Sequence, residues 1–185
     1  LTSPISQSFV REVSFITNDG LSQLVKLTSL TKLWLIGVDI TGDGLAAFKG
    51  MPSLKELTLD NLAVGPGGFS ALGELDMLEH LGIGFQIGFS KMAFSDQDMA
   101  CLAKLKNLKS LTVVSSYVSD AGLRHLSGLQ SLQSLKLSSN GITDAGMTHL
   151  DGLGSLRSLD LTGTRVTRET AERLHEAIPG LACRL

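Results

Sequence analysis

A chain of 185 residues with 43% hydrophobic content can bury a continuous core and suits one domain or one short solenoid. Charged residues make up 18%, and a formal net charge of −2 gives no long-range pull on phosphate backbones, which argues against nucleic acid as a partner. Gly, Ser, Asp or Lys interrupts every apolar stretch before it reaches the ~18 residues of a membrane-spanning helix, so membrane insertion is not expected.

In chain order, residues 5–29 hold Val13-Ser14-Phe15-Ile16-Thr17-Asn18-Asp19-Gly20-Leu21, a compressed form of a unit that becomes complete from Leu30. The complete unit reads L-x-x-L-x-L, then an apolar residue, T-D-A-G and a further apolar residue. It starts at Leu30, Leu54, Leu78, Leu108, Leu132 and Leu156, so successive periods are 24, 24, 30, 24 and 24 residues. A fixed period of this size predicts a stacked solenoid. The leading half alternates, as Leu135 and Leu137 do around Lys136, and predicts a short strand. The trailing half places Leu45, Phe48 and Met51, then Leu123, Leu126 and Leu129, then Met147, Leu150 and Leu153 at intervals of three, one helical stripe. Asp120 and Asp144 stand just before those stripes, where a carboxylate accepts first-turn N–H groups, so they are expected to cap helices. Residues 167–185, with a polar helix stopped by Pro179-Gly180, are expected to form a terminal cap.

These units resemble leucine-rich repeats, specifically the bacterial and F-box-associated types with L-x-x-L-x-L-x-x-[N/T/C]-x-I-T-D-A-G-L, over roughly residues 10–185. The best copies contain Ser139-Asn140-Gly141-Ile142-Thr143-Asp144-Ala145-Gly146 and Val118-Ser119-Asp120-Ala121-Gly122. The resemblance implies an α/β leucine-rich-repeat solenoid, a right-handed superhelix with parallel concave strands and short convex helices, filling 1–185 as a single domain. It also implies that the function is protein binding. The family's asparagine-ladder position is held by Val38, Leu62, Gln86, Ser116, Asn140 and Thr164, and only Asn140 is the consensus residue. The turns of the first two full repeats are therefore expected to be looser.

The 30-residue period places about six additional residues in the third full repeat, around Ile87-Gly88-Phe89-Ser90-Lys91-Met92-Ala93. This 87–93 insertion reads either as a projecting binding tip or as rim core with Phe89 and Met92 tucked in. Outward strand positions form three columns: Lys32, Glu56, His80, Ser110, Ser134, Ser158; Trp34, Thr58, Gly82, Thr112, Lys136, Asp160; and Ile36, Asp60, Gly84, Val114, Ser138, Thr162. Gly82 and Gly84 imply a dent in the middle of the face, open to a ligand or to the insertion. Trp34, the single tryptophan, reads as an interface anchor or as packing beneath the first repeat. The candidate partner-binding set is Lys32, Trp34, Ile36, Glu56, Thr58, Asp60, His80, Gly82, Gly84, Phe89, Thr112, Lys136 and Asp160.

Chemistry finds little support. Glu56, His80 and Ser110 share a column like a carboxylate–imidazole–hydroxyl relay, but nothing resembling G-x-S-x-G or an oxyanion site accompanies Ser110, and at most an exposed Glu56–His80 pair is expected. His125 and His149 recur at the repeat period without a third ligand, so no metal is expected. Gly65-Pro66-Gly67-Gly68 and Gly82-Ile83-Gly84 lack the spacing of nucleotide loops, and no cofactor is expected. Cys101 and Cys183 lie about three repeats apart, which at ~4.8 Å per strand exceeds the ~7 Å disulfide limit, so free thiols are expected. With no Asn-x-Ser/Thr signal, that leans towards a reducing, cytoplasmic setting. The start at Leu1 without methionine reads as a processed or truncated chain and leaves localisation open. Three functions fit: a non-catalytic protein-interaction scaffold, a recognition or sensor domain of a larger signalling or effector protein, and a small-ligand or glycan receptor.

Overall fold

The structure, a computed structural model, describes residues 16–24, 26–37, 39–62, 64–65, 67–84 and 94–185. The compressed copy before Ile16, the 87–93 insertion with Phe89, and the ladder positions Val38 and Gln86 lie outside the described residues.

Short strands and helices alternate: α1 (Asn18–Leu24), β1 (Lys32–Ile36), α2 (Gly42–Leu45), β2 (Glu56–Asp60), β3 (His80–Gly84), α3 (Asp96–Leu102), β4 (Ser110–Val113), α4 (Asp120–Leu123), β5 (Ser134–Lys136), α5 (Asp144–Met147), β6 (Ser158–Asp160), α6 (Arg168–Ala177) and β7 (Ala182–Arg184). The strands form one parallel sheet in sequence order. Each repeat thus pairs only with its neighbours, because an isolated strand–helix unit leaves both apolar faces uncovered. The expected rungs are in register: Leu33, Leu57, Leu81, Leu111, Leu135 and Leu159 are successive partners, and all are buried. A seventh rung was not foreseen: Cys183 pairs with Leu159. It escaped notice because a thiol in place of leucine breaks the apolar pattern.

The helical half departs from expectation in type. The four-residue helices α2, α4 and α5 run directly into 3₁₀ segments, Ala46–Gly50, Arg124–Leu126 and Thr148–Leu150. An interval of three is the 3₁₀ period, and the stripe residues, such as Leu123, Leu126 and Leu129, are all buried. In the second full repeat, where the sequence has Gly and Pro in place of T-D-A-G, the described residues form the 3₁₀ segment Ser70–Glu74 and no α-helix.

The aspartates do not cap their own helices. The N-caps are Ser119 and Thr143, whose hydroxyls accept from Ala121 N and Ala145 N. Each carboxylate instead crosses to the next repeat: Asp96 accepts from Ser119 N and Oγ, Asp120 from Thr143 N and Oγ1, and Asp144 from Thr167 N and Oγ1. Asn18 bridges to Thr41 at the same place, accepting from Thr41 N at Oδ1 but donating from Nδ2 to Thr41 Oγ1. This explains the motif's glycine. A Cβ on Gly44, Gly122 or Gly146 would collide with the Asn18, Asp96 or Asp120 side chain of the preceding repeat.

In the sequence the position of these aspartates is held in the second full repeat by Pro66, which lies outside the described residues and is a residue type without a side-chain acceptor. In the repeat after it the glycine position becomes Asp98, which is 2% exposed and accepts from Gly67 N at 2.8 Å and from Ser95 N and Oγ at 3.1 and 2.8 Å. Asn140 fulfils its expected role, donating from Nδ2 to Val113 O, Leu137 O and Ser138 O and accepting from Ser116 N. Leu62, at the same position after β2, is fully buried instead.

Candidate functional site

The outer face of the sheet carries the columns read from the alternation. Inward positions of β1–β3 are buried, while Lys32, Trp34, Ile36, Glu56, Thr58, Asp60, His80, Gly82 and Gly84 retain exposure. The strands shorten from five residues in β1–β3 to three in β5–β7, so Val114, Ser138 and Thr162 fall beyond the strand ends. Ser138 is 6% exposed, which removes it from the surface.

The first column does not build a relay. Glu56, His80 and Ser110 are register partners, but the Glu56 carboxylate is engaged from β1: Lys32 Nζ lies 2.8 Å from Oε2, and Trp34 Nε1 donates to Oε1 at 3.2 Å. The Lys32 contact, with a smaller contribution from Trp34, holds the Glu56 carboxyl below its ordinary range against the opposing effect of burial. The expected Glu56–His80 hydrogen bond is replaced by these two. Trp34 is thus outward and partly exposed, with its indole N–H satisfied by a neighbouring strand.

Beside this column, just before the strands begin, Glu79 bridges Lys109 at 2.5 Å and Lys55 at 3.2 Å, and Lys109 foremost among the two draws its carboxyl down. In the second column Lys136 pairs with Asp160 at 3.3 Å. Burial opposes ionisation of Asp160, yet donors from Thr162 and then Lys136 outweigh it and bring the carboxyl down to about 2. Sequence reasoning missed these pairs, although opposite charges one period apart, as in Lys32/Glu56 and Lys55/Glu79, were their signal.

Asp60 differs. Among the described residues it makes no ion pair, and burial raises its carboxyl above the ordinary range despite a hydrogen bond with the Gly84 backbone. Its Oδ1 occupies the space a Cβ on Gly84 would need. Among the described residues the expected dent is therefore open at Gly82, where Glu56, Thr58, His80, Ser110 and Thr112 surround a depression of about 170 Å³. That is below the ~300 Å³ at which ligand pockets begin.

Among the described residues no group of three or more His, Cys, Asp or Glu is arranged to hold a metal, and no helix is long and apolar enough to cross a membrane. His125 lies in the 3₁₀ segment after α4 and accepts at Nε2 from Arg124 Nε. Burial, then Arg124, disfavours its protonation.

Residues 106–166 match the leucine rich repeat family model. Internalin C2 from Listeria monocytogenes has a similar solved structure, with a TM-score of 0.60 and 21% identity over 96% of this chain and 78% of that one. No curated protein matches the sequence.

Proposed function

We propose that this chain, a leucine-rich-repeat protein, is a non-catalytic scaffold that grips a protein partner on the concave strand face. Recognition centres on Trp34, Ile36 and Asp60 and extends across Lys32, Glu56, Thr58, His80, Gly82, Gly84, Thr112, Lys136 and Asp160; the reading also includes Phe89 of the insertion, which lies outside the described residues. The observation that carries this reading is the contrast within the face: Glu56 and Asp160 already have lysine partners, while Asp60 is half-buried and, among the described residues, has no ion-pair partner. A carboxylate kept charged against burial costs stability and recovers it when a partner's Lys or Arg arrives. Trp34 and Ile36 supply the amphipathic and apolar area that anchors such contacts. The small volume over Gly82 favours a broad protein contact over a buried small ligand.

The test captures partners from source lysate with wild type, Trp34→Ala, Asp60→Asn and, on the helical side, Lys49→Ala, followed by mass spectrometry and affinity measurement on the recovered protein. The two strand-face variants are expected to lose about tenfold or more in affinity, while Lys49→Ala matches wild type. Equal capture by all four overturns the reading.

A further inference from the structure

We infer that Asn140 is a self-modification site of this chain: opening of the fifth full repeat exposes its amide to attack by the Gly141 nitrogen, and the deamidated product cannot close that repeat again. The residue order supplies the chemistry. Asn140 is followed by glycine, whereas Asn18, Asn61 and Asn107 are followed by Asp19, Leu62 and Leu108, whose side chains crowd the attacking nitrogen. Hydroxide takes the proton of Gly141 N, the nitrogen bonds to Asn140 Cγ, and the Cγ–Nδ2 bond breaks, with Nδ2 leaving as ammonia once water has protonated it. Water then opens the resulting succinimide at either carbonyl carbon. Cleavage at Cγ gives aspartate, cleavage at the backbone carbonyl gives isoaspartate, and nothing is oxidised or reduced.

The fold withholds each of these steps. Asn140 is 6% exposed. Both Nδ2 hydrogens are donated, among Val113 O at 2.7 Å, Leu137 O at 3.0 Å and Ser138 O at 3.3 Å, and Oδ1 accepts from Ser116 N at 3.1 Å. Turning Cγ towards Gly141 N would break these bonds. Gly141 N itself donates to Val118 O at 3.0 Å, which shields the proton a base must remove. Val113, Ser116 and Val118 all belong to the preceding repeat, so separating the two repeats releases the amide and its nucleophile together. The same contacts reject the product. An ionised carboxylate only accepts, and at this position it would face three carbonyl oxygens with Ser116 N as its donor. Isoaspartate lengthens the main chain by one carbon and displaces Gly141 N from Val118 O. Conversion therefore makes opening of this repeat irreversible.

Peptide mass spectrometry of the full chain held in mildly alkaline buffer, folded or in urea, follows the amide-to-acid conversion. Asn140 is expected to convert in urea well ahead of Asn18, Asn61 and Asn107, and to stay intact in the folded chain. Equal conversion in the two conditions overturns the proposal. Gly141→Ala isolates the nucleophile, because a Cβ there meets Val118 O at 3.5 Å, an ordinary contact, yet hinders the nitrogen. It is expected to slow conversion in urea severalfold, and an unchanged rate overturns the proposal. Asn140→Asp carries the product's side chain: a lower urea midpoint or failure to fold supports the proposal, and a wild-type midpoint overturns it.

Discussion

The carboxylate of Asp120 lies between two repeats, accepting from the backbone N–H of Thr143 at 2.8 Å and from its hydroxyl at 2.6 Å. Directly behind it, Gly146 has no room for a Cβ because Asp120 fills that space. The two positions are therefore one device, and their energetics are expected to be coupled.

Asp120→Ala removes the acceptor for two donors and is expected to cost about 1–3 kcal/mol. Gly146→Ala forces the new methyl against Asp120 and is expected to cost at least as much. In the double variant the carboxylate is gone and the methyl meets a smaller side chain, so the combined loss should fall short of the sum by about 1 kcal/mol. Urea denaturation of the four proteins tests this, and strict additivity would separate the two residues.

Asp98 ties the second full repeat to the third through Gly67 N and Ser95. Asp98→Asn keeps its size while removing charge, and one amide cannot replace an acceptor for three donors. An expected loss of about 1.5–3 kcal/mol should be accompanied by faster hydrogen exchange at Gly67 N–H, with Thr143 N–H unaffected. Uniform acceleration along the chain would show that Asp98 acts globally.

Acid sensitivity follows from Asp160 and Asp60 with opposite signs. Asp160 falls from 3.8 to about 2 on folding, so its stabilisation is complete above pH 3.8 and is lost as the pH drops towards 2. The pair is open to solvent, so its share is below about 1 kcal/mol. The Asp60 carboxyl is raised, so its contribution is present in acid and is lost as the pH rises through its folded value. Asp60→Asn is accordingly expected to raise the melting temperature at neutral pH and to leave it nearly unchanged in acid. A lower melting temperature for this variant at neutral pH would contradict the burial cost assigned to that carboxylate.

Cys101 is expected to be inert in the folded protein. Burial foremost, and then the Asp98 charge, pushes its thiol up to about 12, and its Sγ donates to Asp98 O at 2.9 Å. The thiolate fraction at pH 8 is then on the order of 10⁻⁴, and the thiolate is the reactive form. Iodoacetamide labelling read by peptide mass spectrometry should modify Cys183 before Cys101, and Cys101 only as urea opens the chain. Rapid native labelling of Cys101 would contradict its placement.

The sequence by itself determined the rungs. A period of 24 residues, extended once to 30, and a period-two alternation leave one register in which Leu33 through Leu159 all face inward, since slipping a strand by one residue would expose its leucines. Face assignments for Lys32, Trp34, Asp60 and their neighbours followed from the same alternation. What only the tertiary structure decided was where polar side chains find their partners. Asp120 and Asp144 look like helix caps when read along the chain, because the residues they bond lie 23 positions away. Comparable separations in sequence hid the Lys32–Glu56–Trp34 group and the contact of Asp98 with Gly67 N, and left open that Asp60 has no ion pair among the described residues. Burial of apolar groups depends on which face a residue occupies, which local spacing records. Hydrogen bonds and ion pairs depend on the position of atoms in the adjacent repeat, which stacking alone supplies.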